Sequence, residues 1–254
     1  ADIAPIVSVF DSEQREIFLL GQLGEGLVFR IRTGLRAAEL GDRALAVPTD
    51  VTRSDDVSRM VEATIARFGR VDALFANSGI YIHGPIAEGD PDAWANLMDV
   101  NVNGVLRCVA AVLPHMGGGS HLALVASIAG VVSNFGYAAY SSSKFGVVGL
   151  SHALRIECRT RGICVSVICP PEVETPMVEE ERRTAPAVTT QTKQFAGTVT
   201  LDDLCVQVLR GMERDEFMIV PGSWRARFTV FLARAFPRLT ARVTDSMIAK
   251  GLKT

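Results

Sequence analysis

A doubly wound α/β fold, with one parallel sheet covered by helices on both faces, is predicted here on three observations. Short β-rich runs alternate with stretches of helical period along most of the 254 residues, the pattern of strands laid parallel by helical crossovers. Residues of unusual chemistry fall where those strands end, at Asp50, Asn77, Ser127 and the 170–175 turn, and ligands of such sheets bind outside the carboxyl ends of the strands. At 48% hydrophobic residues the chain has enough apolar surface for one large core.

Taken in chain order, "PIVSVF" (5–10) reads as a first strand, "LVFRIR" (27–32) as a second and "RALAVPTDV" (43–51) as a third. "SDDVSRMVEATIARFG" (54–69) is helical: Ser54 caps it, Asp55 and Asp56 suit its first turn, and Gly69 closes it. Val57, Met60, Val61, Ile65 and Phe68 recur there with helical period. "VDALFANSG" (71–79) is a buried strand running into a loop, and 91–116 is a long helix. "GGG" (117–119) turns the chain into the strand "SHLALVAS" (120–127). Residues 138–162 form a helix ended by Gly162, and "ICVSVICPP" (163–171) is a strand stopped by two prolines. The polar, unpatterned 175–197 reads as a lid-like substrate loop. A helix (201–214), a last strand "FMIVPG" (217–222) and a C-terminal extension (223–254) complete one expected domain.

Composition excludes several classes. With a net charge of −2 and no basic stripe, nucleic acid is not an expected partner. Five scattered cysteines (108, 158, 164, 169, 205) without CxxC spacing read as reduced thiols of a cytoplasmic protein. The first residues lack the positive start of a signal peptide, and no apolar run approaches the length of a membrane span. His83, His115, His121 and His152 lack metal-ligand spacing, so no metal is expected.

Tyr140 and Lys144 stand four apart on a helix and share one face. Tyrosine is a weak base at its ordinary pKa of about 10, and a neighbouring ammonium favours the phenolate. The pair suits proton transfer near neutrality. Ser127, ending the preceding strand, is able to hydrogen-bond the same substrate oxygen. Tyr137 lacks a lysine four residues on and reads as pocket lining, with Ile128, Ala129, Val131 and Phe135.

From about Thr33 to Gly222 the chain resembles the short-chain dehydrogenase/reductase family. The motifs that carry the resemblance are "DVT" (50–52), "ANSG" (76–79), "NVNG" (101–104), Ser127, "YSSSK" (140–144) and "PPEVETPM" (170–177). The stretch through 75–116 is most similar to bacterial ribitol-dehydrogenase-type members. The resemblance implies a Rossmann-like fold and an oxidoreductase acting on a secondary alcohol or ketone, either a polyol or a small apolar carbonyl compound. It implies that Tyr140 moves the proton, that Lys144 lowers its pKa and binds the nicotinamide ribose, and that Ser127 orients the substrate oxygen. Asn101 would hold a water that relays protons to Lys144. Asp50 and Val51 would flank the adenine, Asn77 and Gly79 would line the middle of the cofactor, and Val173 and Thr175 would meet the carboxamide. A homodimer or homotetramer paired through the two long helices is implied too.

Residues 10–32 break the pattern. The family places a glycine-rich loop and a helix N-terminus after the first strand, to receive the pyrophosphate. Here "DSEQREIF" (11–18) has no glycine, and Glu13 and Glu16 would oppose the phosphates. The glycines of "GQLGEG" (21–26) have neither family spacing, and "FLLGQLGEG" is a poor helix. Spacing is kept while identity is lost. Either the segment has diverged, with loss or change of cofactor binding, or the reading frame is locally shifted, which its poor internal consistency favours. The second strand ends in "RTGLR" (32–36) without an acidic residue. Arg36, or alternatively Arg32, suits a 2′-phosphate, which favours NADP over NAD. The alternative is a catalytically silent family member that serves binding or assembly. The Arg- and Phe-rich tail (225–251) is expected to pack on its own domain or a dimer mate, the alternative being a membrane surface.

Overall fold

The computed structural model describes residues 6–9, 16–20, 28–32, 45, 47–174, 178 and 195–251. Its main sheet holds β1 (Ile6–Val9), β4 (Ala73–Ala76), β5 (His121–Val125), β6 (Cys164–Ile168) and β9 (Met218–Ile219) in the order β1-β4-β5-β6-β9. All four pairings are parallel, with Ile6 beside Ala73, Ala73 beside His121, His121 beside Cys164 and Val167 beside Met218.

The central strands are apolar at nearly every position because both faces are covered. Leu74, Leu122, Leu124, Val165 and Val167 face one layer. There they meet Val105, Val109 and Val112 of α3 (Val105–Val112) and Leu154 and Cys158 of α4 (Ala138–Arg159). Ala73, Phe75, Ala123 and Ile168 face the other layer, against Val208 and Met212 of α5 (Leu201–Glu213). This alternation along each strand is the pleat at work.

Helix α1 (Ser54–Phe68) begins one residue earlier than its sequence cap suggests: Arg53 is the N-cap, and its side chain makes no capping bond. Its start is instead tied down by the Asp56 carboxylate, which accepts from the Asp50 backbone N–H at 3.2 Å. Gly69 closes it in the left-handed conformation, at φ 81°. The long helix expected over 91–116 is α2 (Pro91–Met98), a π-helical turn (Asp99–Gly104) and α3, ended by a 3₁₀ turn (Leu113–His115). By length and composition Pro91–His115 is apolar enough to cross a bilayer, contrary to the sequence reading. Leu97, Val105, Val109 and Val112 are nonetheless buried inside the domain.

The first quarter departs most from expectation. β2 (Glu16–Leu20) and β3 (Val28–Arg32) form an antiparallel hairpin, with Glu16 opposite Arg32 and Leu20 opposite Val28. A strand therefore stands at Glu16–Leu20, where a helix was needed, and β3 does not join the main sheet. The third strand expected at 43–51 is not found among the described residues of that stretch. A short parallel pair, β7 (Glu172–Val173) and β8 (Thr198–Val199), flanks the sheet. Two helices, α6 (Trp224–Ala235) and α7 (Pro237–Gly251), end the chain.

Candidate active site

Three strand ends converge on one rim. β4 hands over directly to Asn77, while Ser127 and Pro170 stand two residues past the ends of β5 and β6. Backbone bonds fix the rim: Ala126 N–H donates to Ile168 O at 2.8 Å, and Ile128 N–H to Pro170 O at 3.0 Å. A shallow cleft opens there, lined by Phe75, Asn77, Val125, Ile168, Leu204 and their neighbours, almost all apolar.

Helix α4 carries Tyr140 and Lys144 to this rim. The buried Lys144 ammonium donates to the carbonyl of Val125, the last residue of β5, at 3.1 Å. It lies 5.7 Å from the centre of the Tyr140 ring. Burial lowers its pKa to about 8, against a partial counter-effect from the Cys169 thiol. Burial in turn pushes the Cys169 thiol up to about 12, with Lys144 opposing. The ammonium has three N–H groups and one accepting carbonyl among the described residues.

The helix packs this closely because residue 130 is glycine. A Cβ there would stand 2.6 Å from the backbone oxygen of Lys144. Ser127 is half-buried, and its hydroxyl oxygen accepts from the Ala129 N–H at 3.1 Å, leaving its own hydrogen to donate. Asn101 is fully buried in the π-turn. Its Oδ1 accepts from Ile80 N–H at 2.7 Å, and its Nδ2 donates to Ile80 O and Ser143 Oγ, each at 3.0 Å. Ser143 donates on to the Tyr140 carbonyl at 2.7 Å. The π-turn swings the amide inward to clamp the loop after β4 onto α4. A Cβ on Gly79 would sit 3.4 Å from both Asn101 Oδ1 and Lys144 Nζ.

These bonds and contacts bring Asn101, Tyr140, Lys144 and Gly79 together, with Asn77 and Ser127 in the segments that follow the adjoining strands. Asp50 and the Val51 side chain are engaged elsewhere among the described residues. Asp50 turns on itself, accepting from Thr52 N–H at 2.9 Å and Thr52 Oγ1 at 2.7 Å. The Val51 side chain is in the core, where a Cβ on Gly104 would meet it at 2.7 Å; only its backbone is left to face a nucleotide. Val173 is half-buried in β7. Arg36 and Thr175 lie outside the described residues, as does most of the 175–197 loop.

Two expected pocket walls are corrected. Ile128 and Val131 pack against Ala226 and Val230 of α6, because the C-terminal extension returns to this face. An aromatic wall stands at the rim instead. Tyr81 meets Tyr140 edge-on at 5.2 Å and Tyr137 at 5.6 Å, and His83 stacks on it at 5.4 Å. A Gly84 N–H to Gly136 O bond of 2.9 Å stitches the two loops together. Sequence reasoning missed Tyr81; its place two residues after Gly79, in the loop leaving β4, was the available signal.

A nicotinamide cofactor fits one end of this site. The incompletely partnered Lys144 ammonium and the Asn77 side chain at the cleft are the donors a ribose and amide need, and Gly79 lets the backbone come close. Among the described residues, the segment that follows β1 in the chain, Glu16–Leu20, is a strand and supplies no helix N-terminus for a pyrophosphate.

Lys144→Met is expected to abolish turnover and to stabilise the protein near neutrality. The folded state holds Lys144 at about 8 and the unfolded chain at its ordinary 10.5. Below that window both states are protonated and the fold carries the full burial cost. As pH rises through about 8 the folded state releases its proton first, so wild-type stability rises until about 10.5. Urea unfolding across this window is expected to show a gain of roughly 3 kcal/mol in the wild type that is absent in the variant.

The profile of the short chain dehydrogenase family matches residues 6–186. An uncharacterized oxidoreductase of Listeria innocua is 33% identical over 179 residues, 68% of this chain and 71% of that protein. The cis-4-hydroxycyclohexanecarboxylate dehydrogenase of Sinomonas cyclohexanicum is 34% identical over 170 residues, covering 66% and 67%. The crystal structure of a short chain dehydrogenase/reductase from Burkholderia phymatum in complex with NAD superimposes with a TM-score of 0.62. It is 27% identical and covers 73% of each chain.

Proposed function

The chain belongs to the short-chain dehydrogenase family and is an NAD(P)-dependent oxidoreductase; from that premise we propose that it interconverts an apolar secondary alcohol and its ketone, with Tyr140 carrying the proton. The observation that carries this reading is the buried Asn101–Ser143–Tyr140 chain of hydrogen bonds beside Lys144 and Ser127.

Tyr140 gives its proton to a ketone oxygen, or takes it from an alcohol. The Lys144 charge favours the phenolate. Ser127 donates to the same oxygen and sets its direction. Asn101 is a positioning residue, since its amide is committed to Ile80 and Ser143. When bound, the nicotinamide supplies or accepts the hydride. Asn77, Gly79 and Lys144 hold its inner end, while Asp50, the Val51 backbone, Val173 and Thr175 extend the site outward. Arg36 favours NADP. The aromatic wall of Tyr81, Tyr137 and Tyr140 supports an alicyclic or otherwise apolar substrate over a polyol, as does the alicyclic acid in the name of the Sinomonas relative. Self-pairing through the long helices is supported by exposed Leu106 on α3 and by exposed Phe145 and Ile156 on α4.

The test is a fluorescence titration with NADPH and NADH, followed by turnover of cyclic secondary alcohols, on protein whose intact mass verifies residues 10–32. Saturable binding, tighter for NADPH, with oxidation of the alcohols is expected. If mass verifies the sequence and neither nucleotide binds, the catalytically silent reading takes its place.

A further inference from the structure

The C-terminal helix pair carries a surface that the catalytic reading leaves unused. One face of α6 is accounted for: Ala226 and Val230 are buried against Ile128, beside the active-site rim. Its opposite side exposes Trp224, Phe228 and Phe231. Trp224 and Phe228 lie 6.1 Å apart, and Phe231 meets Phe236 at 6.4 Å, so the exposed rings run on into α7. On α7, Leu239, Val243 and Met247 are all exposed and spaced four apart, so they form one row along the helix. No α7 residue with a described side chain is buried.

Charge runs alongside. Residues 223–254 contain Arg225, Arg227, Arg234, Arg238, Arg242, Lys250 and Lys253 against Asp245 alone, in a chain of net charge −2. Arg238 and Arg242 flank the apolar row. Among the described residues none of the five arginines is ion-paired; Arg227 bonds Val220 O and Gln207, and Arg234 bonds the Met218 sulfur. Exposed aromatic and aliphatic side chains bordered by arginines without a carboxylate partner are the makings of an interfacial helix. The apolar row enters the acyl boundary while the guanidinium groups remain among the headgroups.

We propose that α6 and α7 form a peripheral docking surface for an anionic lipid bilayer, holding the active-site rim near the membrane. Charge decides for this occupant over a second copy of the chain, because self-pairing would bring two strongly basic faces together, and the long helices already expose a separate apolar face for self-pairing. The consequence for the chemistry is access to alcohols and ketones dissolved in the bilayer.

Co-sedimentation of the full chain with phosphatidylcholine vesicles, with and without phosphatidylglycerol, tests this without reference to turnover. Binding is expected with the anionic vesicles only and is expected to weaken as salt is raised. Arg238→Gln/Arg242→Gln is expected to lower the partition coefficient roughly thirty-fold, and Phe231→Ser/Leu239→Ser to lower it as well. Far-UV circular dichroism serves as a check that each variant folds. No binding to anionic vesicles, or binding unchanged in the arginine variant, overturns the proposal. So does a dimer in light scattering that Leu239→Ser disrupts while vesicles go unbound, which would assign the face to a second copy.

Discussion

Tyr140→Phe is expected to lower kcat on the order of 10²–10⁴-fold, with nucleotide binding and fold retained. The substitution removes the hydroxyl and keeps the ring. The ring contacts with Tyr81 and Tyr137 survive, because they are made by the aromatic edge and face. The backbone carbonyl that accepts from Ser143 survives too. Lys144 keeps its bond to Val125. A structural role for Tyr140 would therefore leave the phenylalanine variant active, whereas a proton-transfer role predicts inactivity at an unchanged melting temperature. Steady-state kinetics with NADPH and a cyclic alcohol, paired with thermal unfolding, separates the two.

Gly130→Ala is the second large effect, and it acts by a different route. The new methyl group would stand 2.6 Å from the Lys144 carbonyl oxygen and 3.2 Å from its Cβ. The first of these is helix backbone, which cannot swing aside as a side-chain end does. Either the turn after β5 or the start of α4 has to move, at about 1–3 kcal/mol for overpacking of this kind. The movement falls on Lys144 and on the Ser127 turn together, so activity is expected to drop well beyond what the lost stability explains. Chemical denaturation and kcat/KM measured on the same preparation check this. Wild-type kinetics with only a lowered melting temperature would show that the close approach serves packing alone.

These effects rest on parts of the chain that the sequence made legible to different degrees. Strands β4, β5 and β6 were readable because residues buried on both faces must be apolar throughout. Tyr140 and Lys144 were readable because helical spacing alone puts them on one face. Asn101 was named as part of the site, but its geometry was not: the π-turn that directs its amide at Ile80 and Ser143 leaves no mark in an apolar helical run. The Ser54 cap misses by one residue: Arg53 is the N-cap without a side-chain bond, and the Asp56 carboxylate accepts from the Asp50 N–H from inside the helix. Ile128 and Val131 have the composition of pocket walls, yet they are covered by α6, about a hundred residues further along the chain. Contacts between segments so far apart leave no trace in local pattern. The pairing of β2 with β3 is a further case, since a run read only as a poor helix contains the β-prone residues Ile17 and Phe18.

The edge position of β1 bears on engineering of the chain. Among the described strands of the main sheet it pairs with β4 alone, so the β2–β3 hairpin after it hangs from a margin and is not woven through the centre. Every residue assigned to proton handling comes from the unbroken stretch Asn101 to Lys144. A chimera that replaces the front of the chain up to Arg32 therefore leaves every one of those residues in place.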